Sequence, residues 1–241
     1  MPADQRDPRT EPEHAASAGG RGAAPLAVDD SARLLTSLYA SFTSTYLTLT
    51  SILQGVALAY LVVVVDDEMH AFEAAHWILV VTTFLMIVAA WHEYMTAVTV
   101  FVWIPRLRDS LIPFLLGGAE LVLIRSLGQQ TELEWFFLAM AVTSLVTLVA
   151  FLNMYASAAA ERDKNRVLLE NTRFYERLSL TFVSCSGVLF LIFSAVEARA
   201  PASATLDVVL AATTLALVVA FLARSAIYWH KVIDLLQSGD V

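Results

Sequence analysis

Charge is scarce in this chain. Only 16% of its 241 residues are Asp, Glu, Lys or Arg, while 58% are hydrophobic and the mean hydropathy is +0.65. An ordinary soluble domain has about 25% charged and roughly 45–50% apolar residues. One soluble domain of this size cannot hide so much apolar surface behind so few charges. That shortage excludes an ordinary soluble enzyme, a nucleic-acid binder and a fully disordered chain. Cysteine is nearly absent too. Cys185 is alone, so no intramolecular disulfide forms, and no Cys/His spacing suits zinc. It reads as a small apolar packing residue.

Catalytic motifs are also missing. The chain has no phosphate-binding Walker loop and no dinucleotide-binding glycines. His92-Glu93 begins a zinc-protease pattern, but position 96 is Thr. Ser184-Cys185-Ser186-Gly187 lacks the glycine spacing of a nucleophile elbow. The chain is not read as an enzyme. A basic segment feeding directly into an apolar one is absent at the start, so no secretory signal is expected.

Long apolar runs fill the remainder. Leu34 to Val65 holds 32 residues without a formal charge, and a spanning helix needs roughly 20. The expected fold is all-α: a polytopic six-transmembrane-helix bundle. Spans are placed at about 45–65, 75–104, 110–127, 135–155, 178–197 and 206–224. Residues 1–32 read as a disordered cytoplasmic tail, 33–237 as the membrane domain and 238–241 as a C-terminal tail.

The third span is the shortest and carries Glu120, so parity decides whether it is kept. With six spans, 13 of the 15 basic residues fall on one side. The opposite loops are acidic, with Asp66, Asp67, Glu68, Glu73, Glu132, Glu134, Glu197 and Asp207. This sorting satisfies the positive-inside rule with both termini cytoplasmic, in the plasma membrane. Without span three, the five basic residues between Arg162 and Arg177 change sides.

Amphipathic continuations suggest helical extensions on the cytoplasmic face. Leu35, Leu38, Phe42 and Tyr46 precede span one, Ala156 to Leu169 follows span four, and Ile227, Tyr228, Val232, Leu235 and Leu236 follow span six. Asn171 or Thr172 is placed to cap the fifth helix. Span two poses a geometric problem. Ala74 to Pro105 is 32 residues, about 48 Å as a helix, whereas Ser110 to Gly128 returns in about 28 Å. Tilt, a bend near His92-Glu93 or projection beyond the bilayer would reconcile them.

Ionisable groups within spans are costly and suggest function. Glu93 and Glu120 are the two acids there, with His92 beside the first. The functional reading is a buried path lined by Glu93, His92, Glu120 and Gln54, carrying a cation or a proton. The alternative places Glu93 at the headgroup level, paired with Arg106, Arg108 or a basic residue near span four. Ser44, Thr48, Ser51, Gly55 and Ala59 form a small stripe expected to pack against another helix. Among the histidines only His92 and His230 match in depth, so no haem or other cofactor is expected.

The expected function is conduction or transport of a small ion by a homo-oligomer. The alternative is a non-transporting scaffold or sensor that binds a protein through its cytoplasmic helices and the basic segment from Arg162 to Arg177.

Overall fold

The computed structural model describes residues 28–103, 106–128, 132–199 and 203–238. These form six α-helices: α1 (Val28–Glu68), α2 (Ala74–Val100), α3 (Leu107–Arg125), α4 (Leu133–Ala160), α5 (Arg162–Glu197) and α6 (Ala204–Ser238). A short 3-10 turn, Met69–Ala71, links α1 to α2, and no strand occurs among the described residues. All helices except α3 are long and apolar enough to cross a membrane. Most of the tail, residues 1–27, lies outside the described residues. The described residues before Ser37 belong to a unit separate from Ser37 onward.

Facing residues fix the helix directions. Tyr175, Ser179 and Phe182 of α5 face Tyr228, Arg224 and Phe221 of α6, an antiparallel pairing. On α2 and α6, Glu93 meets Arg224, and 17 residues earlier in each helix His76 lies within electrostatic reach of Asp207. These two helices are therefore parallel and in register over about 26 Å. Helices α1 and α3 are parallel as well. Tyr46 lies within electrostatic reach of Asp109, Gln54 bonds Glu120, and Glu68 approaches Gly128. Helices α4 and α5 form a close hairpin. A Cβ on Gly187 would stand 3.2 Å from that of Ser144, so glycine permits the approach.

Two apolar clusters hold the bundle. One, near the acidic connections, gathers Leu79, Leu123, Ile124, Phe136, Phe137, Phe193 and Leu210. The other, near Arg106, gathers Tyr46, Tyr94, Phe101, Trp103, Leu168, Tyr228 and Val232. Large apolar side chains on the outer faces, such as Val62, Leu145 and Val188, remain exposed, as a lipid-facing surface requires.

Several expectations need correction. Helix α2 passes unbroken through His92-Glu93 and stops at Val100, with Phe101 extended (φ −99°, ψ 144°). The excess length of span two is thus partly removed by unwinding its end. Asn165 makes that possible. Its side chain is fully buried, accepts from the Val102 N–H at 2.9 Å and donates to the Val102 carbonyl at 2.7 Å. One amide thereby satisfies both backbone groups that leave the helix.

Asn171 and Thr172 cap nothing. Helix α5 begins at Arg162, and both side chains bond back to carbonyls four residues earlier, Val167 and Leu168. The break after span four falls at Glu161, so the long extension belongs to α5. The stripe Ser44, Thr48, Ser51, Gly55 and Ala59 is exposed, and Ser51 within it accepts from the Trp91 Nε1–H of α2 at 3.3 Å. The buried face of α1 is Tyr46, Thr50, Gln54, Ala57 and Leu61. Cys185 is likewise exposed on α5.

Replacing Asn165 by Leu should lower the thermal unfolding midpoint of the detergent-solubilised chain. Each buried backbone group left unpaired costs about 1–3 kcal/mol. An unchanged midpoint would show that Val102 has other partners.

Candidate functional site

The helices converge on a cavity of about 130 Å³. Every described helix contributes to its wall, from Tyr46 on α1 to Phe221 on α6. Most of the lining is apolar. The polar exceptions sort into those already paired and those left free.

Glu93 is paired. Its carboxylate accepts from the Arg224 guanidinium at 2.5 Å, and the same guanidinium donates to the Ser179 hydroxyl. Arg224 also lies over the Phe221 ring, 4.7 Å from its centroid. Charge and countercharge thus meet where α2, α5 and α6 touch. His92 points elsewhere. Its Nδ1 lies 2.9 Å from the Ser225 hydroxyl, and its ring stands edge-on to Trp229. The alternative pairing of Glu93 with Arg106, Arg108 or a residue near span four is not seen; the cation comes from α6.

Asp109 is also satisfied. It accepts from the Arg106 backbone N–H at 2.8 Å, capping α3, and from the Asn153 amide on α4. This arrangement anchors the start of α3, where four N–H groups have no helical partner.

Glu120 differs. It is 1% exposed, yet among the described residues its Oε1 has one partner, the Gln54 amide at 3.3 Å, and its Oε2 has none. The Gln54 Oε1 is unpartnered as well. The inward direction follows from α3 itself: Phe114, Leu115 and Val122 take the outer face, leaving Leu116, Ala119, Glu120 and Leu123 inside. Gln54 lies near the middle of span one as read from the sequence, so Glu120 sits deep.

Three hydroxyls on α4 complete the wall. Thr143, Ser144 and Thr147 donate to the carbonyls of Ala139, Met140 and Thr143, at 2.8, 2.9 and 2.8 Å. Their protons are committed, so these oxygens offer lone pairs to the cavity.

The structure therefore brings Gln54 and Glu120 together and directs Glu93 and His92 to different partners, although Glu93 and Glu120 both line the same cavity. Sequence reasoning misses Arg224, Ser179, Asp109 and Asn153 as site residues. Arg224 carries a signal: it shares helical spacing with Leu217, Phe221 and Tyr228, an inward face, although its place just past span six makes it look like a boundary charge. His230 is exposed and bonds the Ala226 carbonyl. Among the described residues, no three His, Cys, Asp or Glu side chains gather as a metal site.

The chain matches no protein-family model, no curated protein and no solved structure.

Arg224→Leu should strand the Glu93 carboxylate and destabilise the protein by about 3–5 kcal/mol, read from denaturant unfolding in micelles. Adding Glu93→Leu should recover most of that loss. Equal stability of the single and double variants would contradict a direct pairing.

Proposed function

We propose that this chain is a six-span membrane protein that moves a small cation or a proton, with Glu120 as the group that carries it. The observation that bears the proposal is the free oxygen of Glu120: a deep carboxyl, neutralised by no cation, facing a cavity. A charge inside a span usually pairs with another or serves a pathway. Glu93 has its countercharge in Arg224, so it belongs to the framework; Glu120 is left for the pathway. His92 stands beside the framework pair, and Gln54 orients the Glu120 carboxyl.

Six crossings are supported by helix direction. Parallel α2 and α6 imply an even number of reversals between them, which favours reading α3 as a crossing. Helix α3 runs beside α1, and its 19 residues rise about 28 Å, comparable to a hydrocarbon core of about 30 Å. Both termini are placed in the cytoplasm, in the plasma membrane, by the sorting of basic residues. The exposed Ser44, Thr48 and Gly55 support a homo-oligomer, since small residues allow helices of different copies to approach. No enzymatic activity is proposed.

A second reading has one observation in its favour. Arg162, Arg166, Arg173 and Arg177 are all exposed on the first half of α5. A scaffold that binds an acidic protein partner there needs no transport. A partner should then copurify with the wild-type chain, and neutralising Arg162, Arg166 and Arg173 should release it; if nothing copurifies, this reading is overturned.

Liposome flux tests the main reading. Under a pH or salt gradient the wild-type chain should conduct, and Glu120→Gln should lower the rate by at least about tenfold, one charged interaction being worth more than 1.4 kcal/mol. No flux under any gradient or voltage overturns transport. Wild-type flux in Glu120→Gln overturns the residue assignment. Membrane-impermeant maleimide on single cysteines at positions 108 and 128 should react from opposite sides if α3 crosses.

A further inference from the structure

The composition of the cavity limits what its carboxyl can hold. A bare metal cation asks for several oxygen ligands to replace its water; calcium takes 6–8 and magnesium near-octahedral coordination. Glu120 supplies one free carboxyl oxygen and the α4 hydroxyls three neutral ones, fewer than such an ion needs, and most of the remaining wall is carbon. The other acids are engaged: Glu93 by Arg224, Asp109 by Arg106 and Asn153. An ion dehydrated here would recover little of its hydration.

An organic ammonium ion has different needs. It brings one compact charge and its own apolar body. The charge asks for a carboxylate and a few acceptor oxygens; the body asks for an apolar cavity. Both are present. The Glu120 Oε2 is unpartnered, and the α4 hydroxyls have committed their protons and present acceptors. Met86, Met140, Phe190 and Val218 supply the apolar wall, with methionine adapting to irregular shapes. Tyr94 adds an aromatic side chain and an unpartnered hydroxyl to the wall.

Size narrows the class further. A dry cavity of about 150 Å³ accepts a benzene ring. The volume of about 130 Å³ suits one small ring or a short alkyl chain, not a large multi-ring molecule.

We propose that the cavity is a binding site for a small hydrophobic primary amine, held by its ammonium group on Glu120 with its apolar body against α2, α4, α5 and α6. The inference rests on reading Glu120 as the exchanging group. It adds what is exchanged: the amine and a proton compete for one carboxyl, so entry of the cation displaces the proton.

Binding and flux separate the two ideas. Benzylamine is the probe, benzyl alcohol its uncharged isostere, and potassium chloride the inorganic competitor, each titrated calorimetrically into the full chain in detergent. Benzylamine should bind saturably with proton release, benzyl alcohol at least about tenfold more weakly, and excess potassium should not displace the amine. Glu120→Gln should abolish the preference for the amine. Its amide can still meet Gln54, and its folding is checked by unfolding midpoint. Ala89→Leu keeps every charge and fills the cavity, so it should weaken both probes. Equal binding of the two probes, displacement by potassium, or a preference that survives Glu120→Gln overturns the amine site. Glu120-dependent proton flux without benzylamine binding overturns it too, while sparing the transport reading. Benzylamine binding without any flux upholds the site and overturns transport.

Discussion

The contact between Glu93 and Arg224 organises the bundle. Two charges taken from water need each other and further hydrogen bonds before their desolvation is offset. Here the guanidinium reaches Glu93 on α2, Ser179 on α5 and the Phe221 ring on its own helix. That demand sets the height of α6 against α2 and of α5 against α6. The aromatic pairs Phe182–Phe221 and Tyr175–Tyr228 follow at the same register. With this pair closed upon itself, the cavity retains one uncompensated acid.

The bundle is built differently at its two ends. Near the acidic connections the packing is hydrocarbon: Leu79, Leu123, Ile124, Phe136 and Phe137 meet with almost no exposure. Toward Arg106 the packing is aromatic and amide-rich, with Tyr46, Tyr94, Trp103, Asn153 and Asn165. Glu120 stands between the two regions, where the cavity meets the apolar cluster. One end is thus sealed by carbon and the other by groups able to hydrogen-bond. Opening the first requires separating packed side chains; opening the second requires exchanging hydrogen bonds, many of which water can replace.

Much of the architecture was legible from hydropathy and from the distribution of charge. Uncharged runs located the long helices because a bilayer tolerates few exposed polar groups. Glu93 and Glu120 stood out for the same reason. What hydropathy does not carry is pairing. Arg224 follows an apolar run and looks like a boundary, yet α6 continues to Ser238 and buries it. Asn165 lies in a polar stretch with exposed Asp163 and Arg166, and nothing local distinguishes it; its role depends on Val102, 63 residues away. The small stripe on α1 was periodic, but periodicity identifies a face without saying what covers it. Helix α2 stops at Val100 because a side chain from another helix receives the extended residues that follow, a tertiary cause invisible in an apolar, helix-compatible sequence.

The separation of Glu93 and Arg224 along the chain bears on how the protein is made. The acid emerges 131 residues before its partner. During synthesis α2 is made while α6 is still unwritten, so Glu93 precedes the Arg224 that later pairs with it. Helices α1 and α3, joined by Gln54 and Glu120, meet after only 66 residues. The first half of the bundle therefore has an early polar tie, while α2 gains its countercharge only when the last helix arrives. Assembly is completed from the C-terminal end, and a ribosome stalled before α6 leaves a chain with a carboxyl in search of a cation.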